Sequence, residues 1–248
     1  MLKDFSEEKL DIMIQAGQSN SAGCGIGDVP EPFEPNGDIW YLNDNFTISL
    51  AQEQVVGNSV VANFSLTFAD DYIKKGRLEN GRKLLILRTA AGGTGFCDKR
   101  WGLEDDLFLR MMDMIRTALA LNNENRLVAF LWHQGENDAS QSVPHDVHYK
   151  NLKTLINTVR NTFNCENLPV VAADFVQEWE MKNRQICEPV VKAMKDVCSD
   201  IGNAKFLETT NLLSNNQKFG NEDDIHFCRE ALYQMGHEYY KAFEEIVG

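Results

Sequence analysis

The chain has 248 residues, 43% hydrophobic and 25% charged, enough for one large α/β domain with a full core. Its formal net charge of −13 argues against nucleic acid or an anionic membrane as the main partner, since both call for a basic face. No apolar run approaches the ~18 residues of a membrane span. The charged start Met1–Leu10 has no apolar signal core, and the six cysteines form no Cys-x-x-Cys pair. The expectation is a single domain over 1–248 in the cytoplasm with reduced thiols.

Taken in order, the first feature is Asp11-Ile-Met-Ile-Gln-Ala-Gly-Gln-Ser-Asn-Ser-Ala-Gly23. It reads as a buried strand, Leu10–Gln15, running into a tight turn that carries Ser19. The N–H groups of a helix that opens there favour negative charge. Segment 23–57 breaks the rhythm with Pro30, Pro32 and Pro35, and reads as a long loop holding a small hairpin made from Asp38–Leu42 and Thr47–Leu50. Four more strands are expected at Lys83–Arg88, Leu127–Trp132, Pro169–Asp174 and Lys205–Glu208. All are short and dense in apolar residues, as strands buried on both faces are. Helices are expected over Val61–Lys75, Leu107–Leu121, Asp146–Phe163, Glu188–Ser199 and Arg229–Ile246. Phe64, Phe68 and Tyr72, and Leu109, Met112, Ile115 and Leu119, follow the 3.6-residue period. The alternation predicts a three-layer α/β sandwich around a parallel sheet.

Ligands of open α/β sheets bind beyond the carboxyl ends of the strands. After the second strand stands Thr89-Ala-Ala-Gly-Gly-Thr-Gly95, after the third His133-Gln-Gly-Glu-Asn-Asp138, and ahead of the last helix Glu222-Asp-Asp-Ile-His226. These clusters fall at the same edge as Ser19. A serine needs a base, and His226 is the candidate, with Asp223 or Asp224 near enough to hold its other nitrogen. Gly92 and Gly93 let backbone N–H groups approach an oxyanion, and the Gln134 amide is a further donor. Glu136 and Asp138 read as residues bracing their loop. His145-x-x-His148 has metal spacing but no third ligand. Trp40, Trp101, Trp179 and Tyr41 are aromatic residues able to stack on sugar rings, though such residues in an α/β protein are more often core.

Together Gly17-Gln-Ser-Asn20, Gly92-Gly-Thr94, Trp132-His-Gln-Gly-Glu-Asn-Asp138 and Asp223-x-x-His226 resemble the SGNH hydrolase superfamily. The closest branch is that of the sialate O-acetylesterases and acetylxylan esterases. The blocks span positions 17 to 226, nearly the whole chain. The resemblance implies a flavodoxin-like α/β/α fold with a five-stranded parallel sheet in the order 2-1-3-4-5. It makes Ser19 the nucleophile, His226 the base and Asp223 the orienter. The oxyanion hole would be the Ser19 N–H, the Gly93 N–H and the Gln134 side chain. Gln18, Thr94 and Glu136 are the expected substrate contacts, and Asp224 is expected to face solvent or cap the last helix. No metal or organic cofactor is implied. Ser21, where the branch commonly has Met, and Phe96-Cys97 depart from the pattern and are expected to touch substrate.

The expected activity is removal of O-acetyl groups from a small-molecule or oligosaccharide ester, with no nucleic-acid or membrane partner. Two other readings stay open: a short-chain acyl esterase or thioesterase on non-sugar esters, and a catalytically silent carbohydrate-binding protein on the same fold.

Overall fold

The computed structural model describes residues 4–248. Nine strands occur among them: β1 (Lys9–Gly17), β2 (Ile39–Leu42), β3 (Ile48–Leu50), β4 (Gln54–Val56), β5 (Ser59–Val61), β6 (Arg82–Arg88), β7 (Arg126–His133), β8 (Val170–Ala173) and β9 (Ala204–Leu207). The helices are α1 (Ser19–Ala22), α2 (Ser65–Lys74), α3 (Asp106–Ala120), α4 (Glu136–Ser140), α5 (His145–Thr162), α6 (Gln177–Lys182), α7 (Arg184–Asp200), α8 (Asn215–Phe219) and α9 (Arg229–Val247). None of them is long and apolar enough to cross a membrane.

The central sheet has seven strands in the order β3-β2-β6-β1-β7-β8-β9, parallel except for β3. This corrects the five-stranded sheet expected from the sequence. The hairpin placed in the 23–57 loop is β2–β3, and it does not stand apart: β2 pairs in parallel with β6 and extends the sheet. A second hairpin, β4–β5, forms a separate two-stranded sheet where the sequence pattern starts a helix at Val61. That helix begins at Ser65 instead, because the Asn63 side chain accepts the Ser65 N–H at 3.0 Å and β-branched Val60 and Val61 pair as strand.

β1 is the central strand, buried from Leu10 to Gly17. Sequence-order crossovers run from β1 toward β2 and β6 on one side and toward β7, β8 and β9 on the other, so β1 marks the switch point of the sheet. Right-handed crossovers put helices on both faces. α2 packs on α9, and α5 on α7. The α2–α9 seam is aromatic: Phe64 stacks on Tyr239 at 4.3 Å, and Phe68 meets Phe243 edge-on at 5.5 Å. Gly236 makes this seam possible, since a Cβ there would overlap Thr67 and the Phe64 carbonyl. On α3 the buried stripe is Leu107, Phe108, Met111, Met112 and Ile115; Leu109, counted on that stripe by spacing, is exposed.

The amino edge of the sheet is locked by one buried carboxylate. Asp11 lies 2.7 Å from Arg82 Nε and 2.7 Å from Arg126 Nε, and accepts the Tyr72 hydroxyl at 2.9 Å. A buried charge persists only with partners of this kind, and these tie β1 to β6, β7 and α2. The carboxyl edge is left to the loops.

Candidate active site

Ser19 opens α1 directly after β1, and the turn is pinned on both sides. The Gln18 N–H donates to the His133 carbonyl at the end of β7 (2.8 Å), and the Gly17 carbonyl accepts the Ala91 N–H after β6 (3.0 Å). Gly17 has φ +130°, and a Cβ there would overlap the His133 carbonyl, so the strands close around the turn only with glycine.

His226 reaches this turn from the loop before α9. Its Nε2 lies 3.0 Å from Ser19 Oγ and its Nδ1 lies 2.8 Å from Asp223 Oδ1. The other Asp223 oxygen accepts the Asn215 amide at 2.8 Å. The Asn215 N–H donates to the His226 carbonyl and the Asn216 N–H to the Asp223 carbonyl, each at 2.8 Å, so α8 fixes the loop by backbone and side chain together. Asp224 points away and pairs with Lys182 at 2.8 Å. It neither caps α9 nor faces His226; Cys228 occupies the cap position of that helix. Ser19, Asp223 and His226 are all partly exposed, as groups open to a substrate must be.

A further residue, given no role from sequence, joins serine and histidine through the protein interior. Asn20 donates to Glu136 Oε1 at 2.8 Å and to the Ile225 carbonyl at 3.1 Å, and accepts the Phe227 N–H at 3.1 Å. It therefore grips the backbone on both sides of His226. The only hint in the sequence is its place beside Ser19 in the first block. Glu136 is wholly buried, with His133 Nε2 at 3.4 Å. Burial opposes its charge, but the His133 and Asn20 contacts outweigh it and hold the carboxyl below the usual range.

On the other side of Ser19 runs the loop after β6. Gly92 touches the serine: a Cβ on it would lie 3.8 Å from Ser19 Cβ. Gly93 has φ +67°, and a Cβ there would meet nothing within 4 Å. Gln134 is buried, its Nε2 donating to Asp138 Oδ2 at 3.1 Å and its Oε1 lacking a partner. Asp138 gathers this half of the site. It accepts the Cys97 N–H at 2.8 Å, the Phe96 N–H at 3.2 Å and the Gln134 amide, and contacts His148 Nδ1 at 3.1 Å. Burial raises its pKa, but His148 and the Cys97 N–H outweigh burial and bring it to about 2. Gly95 is needed here, because a Cβ would lie 2.6 Å from Asp138 Oδ1 and 3.0 Å from Gln134 Nε2.

The residues expected to meet substrate fare differently. Gln18, Thr94 and Glu136 are buried, and Glu136 Oε2 has no hydrogen-bond partner among the described residues. Gln18 Oε1 accepts the Asn137 N–H at 3.2 Å; the Thr94 hydroxyl donates to the Ala91 carbonyl at 2.7 Å and accepts the Trp101 indole at 3.1 Å. All three brace the loops around Ser19. Ser21 and Phe96 are likewise buried, leaving Cys97 as the exposed residue among the three departures. Trp101, Trp179 and Tyr41 belong to the core, and Trp40 packs against it. His145 pairs with Asp196 and His148 with Asp138, so the two histidines diverge.

The family profile "carbohydrate esterase, sialic acid-specific acetylesterase" matches residues 9–245. No curated protein matches the chain. Among solved structures, a protein from Arabidopsis thaliana is similar at 21% identity and a TM-score of 0.76, over 95% of this chain and 98% of that one. NanS is similar at 15% identity and 0.81, over 97% and 98%. A carbohydrate acetylesterase from Xanthomonas citri is similar at 12% identity and 0.60, over 95% of this chain and 56% of the other.

Proposed function

This chain belongs to the sialic acid-specific acetylesterase family of carbohydrate esterases, and from that premise we propose that it removes O-acetyl groups from a carbohydrate through an acyl-enzyme on Ser19. The observation that carries the reading is the position of His226, in reach of the Ser19 hydroxyl on one ring nitrogen and of Asp223 on the other. Such a relay makes a serine nucleophilic.

Ser19 Oγ attacks the acetyl carbonyl carbon while His226 Nε2 takes the hydroxyl proton. The Asp223 carboxylate holds Nδ1–H and stabilises the imidazolium. Negative charge moves onto the carbonyl oxygen, which the Ser19 N–H, the Gly93 N–H and the Gln134 amide receive. The intermediate collapses: the bond to the sugar oxygen breaks, His226 returns its proton to that oxygen, and the deacetylated sugar leaves. Water then gives its proton to His226 and attacks the acetyl-serine, releasing acetate and restoring Ser19. Acetate release from acetylated xylo-oligosaccharides, manno-oligosaccharides and sialic acids tests the substrate class. Rates on 4-nitrophenyl acetate against the butyrate and octanoate separate an acetylesterase from an enzyme of longer acyl chains. No turnover of any ester supports the silent binding protein.

A further inference from the structure

α5 opens with His145-x-x-His148, and the second histidine turns into the protein, where it is wholly buried. The chain folds back to bring it there: the Val143 N–H donates to the Asp138 carbonyl at 3.0 Å, so the first turn of α5 returns to α4. His148 Nδ1 then lies 3.1 Å from Asp138 Oδ2, and its ring meets Phe96 edge-on at 5.5 Å. Asp138 is ionised in the folded protein, with a pKa of about 2, so it accepts hydrogen bonds and cannot donate one. The proton between the two groups therefore sits on His148 Nδ1. His148 Nε2 is buried with no partner among the described residues.

The same Asp138 Oδ2 accepts the Gln134 amide at 3.1 Å and the Phe96 N–H at 3.2 Å, and Oδ1 accepts the Cys97 N–H at 2.8 Å. These three donors stand in loops that follow β6 and β7, whereas His148 stands on a helix of 18 residues. The last torsion of a carboxylate is soft, and a contact mounted on a helix holds it more closely than loops do. Gln134 depends on how that carboxylate is held. Its Oε1 has no partner among the described residues, so the Asp138 contact separates the amide from its flipped form. A flip would set Oε1 against a carboxylate oxygen. As oriented, Nε2 gives one N–H to Asp138 and keeps the second for an oxyanion.

We propose that His148 is a positioning residue for the reaction: through Asp138 it fixes the Gln134 amide in the orientation that offers an N–H to the oxyanion. The assignment rests on the acetylesterase reading and on Gln134 as one of its oxyanion donors.

A double-mutant cycle with 4-nitrophenyl acetate as the probe tests it. His148→Leu should lower kcat ~10-fold and leave KM within about twofold, because the oxyanion exists mainly in the transition state. His148→Asn sets an amide N–H near the place of Nδ1 and should recover kcat to within ~3-fold of native. In the Gln134→Ala background, His148→Leu should change kcat by less than ~2-fold, since the amide it orients is gone. An equal loss in both backgrounds, or a His148→Asn protein no better than His148→Leu, overturns the assignment and leaves His148 a packing residue. The nitrogen resonances of the His148 ring in the native protein give a reading that needs neither turnover nor a variant. Nδ1 should carry a proton; a ring protonated on Nε2 alone overturns the assignment. A proton on Nδ1 with no ester turned over by the native protein would sink the esterase reading alone. His148→Leu should even then shift the Gln134 side-chain amide resonances, and unchanged resonances would sink the role given to His148.

Discussion

Asn20 Nδ2 lies 2.8 Å from Glu136 Oε1, and the same amide side chain holds the Ile225 carbonyl and the Phe227 N–H on either side of His226. The residue next to Ser19 therefore fixes the backbone on both sides of His226. Glu136, buried and anionic, anchors that amide from below. Asn20→Ala should lower kcat by about 10²-fold, through misplacement of the ring, with a smaller change in KM. Steady-state kinetics across pH 5 to 9 decide it. A mutant whose kcat is native and whose only change is a lower Tm would reduce Asn20 to a packing residue.

The adjacent aspartates should behave as opposites. Asp223 meets His226, and Asp224 meets Lys182. Asp223→Asn removes the charge that stabilises the imidazolium, and kcat/KM should fall by at least ~10²-fold. Asp224→Asn loses a partly exposed ion pair, a change of ~0–1 kcal/mol in stability, with activity within about twofold. Parallel assays of the two variants, with chemical denaturation, rank them.

Asp138 links acid stability to the loop that carries the proposed oxyanion donors. Its pKa of about 2 in the folded protein lies below the ordinary 3.8, so it stabilises the fold above the unfolded value and loses that contribution as pH falls through the folded one. A depression of this size corresponds to roughly 2 kcal/mol, lost between about pH 4 and pH 2. Asp138→Asn should flatten the stability profile in that window. It should also lower kcat, because the Phe96 and Cys97 N–H groups and the Gln134 amide all rest on this carboxylate. Denaturant titrations from pH 2 to 5 measure the first effect.

Asp174 shows the opposite sign. At the end of β8, burial and then the Glu180 charge raise its pKa to about 7. A carboxyl raised above its unfolded value stabilises the fold at low pH, and this is lost as pH climbs through 7. Asp174→Asn keeps an acceptor for the Phe175 N–H, now at 2.9 Å, and has no charge to bury. The variant should have a higher Tm than the native protein at pH 8 and nearly the same Tm at pH 4. Thermal melts at both values check this, and an equal offset at the two would contradict it.

What the sequence made legible follows from burial. β1, β6, β7 and β8 lie inside the sheet and read as unbroken apolar runs, so their places were visible within a residue or three. β4 and β5 are three residues each, and Val55, Val56 and Val60 face solvent, which leaves no periodicity to read. The order of Ser19, Gln134, Asp223 and His226 along the chain pointed to one edge of a sheet. The contacts that fix them did not show, because they join distant segments. Asn20 meets Glu136 across 116 positions, and Lys182 reaches Asp224 across 42. Thr94 is a substrate contact only by the resemblance; in the structure its hydroxyl is held between the Ala91 carbonyl and the Trp101 indole, contacts that the sequence does not show.

The most direct test is acetate release from acetylated carbohydrate by the native protein and by Ser19→Ala, with labelling of both by a serine-directed organophosphonate. Native protein should release acetate and take up one label on the peptide holding Ser19. Ser19→Ala should keep its Tm, take up no label there and lose at least ~10³-fold in kcat. Acetate release by Ser19→Ala at the native rate, or a label on Ser21 in place of Ser19, would contradict the account.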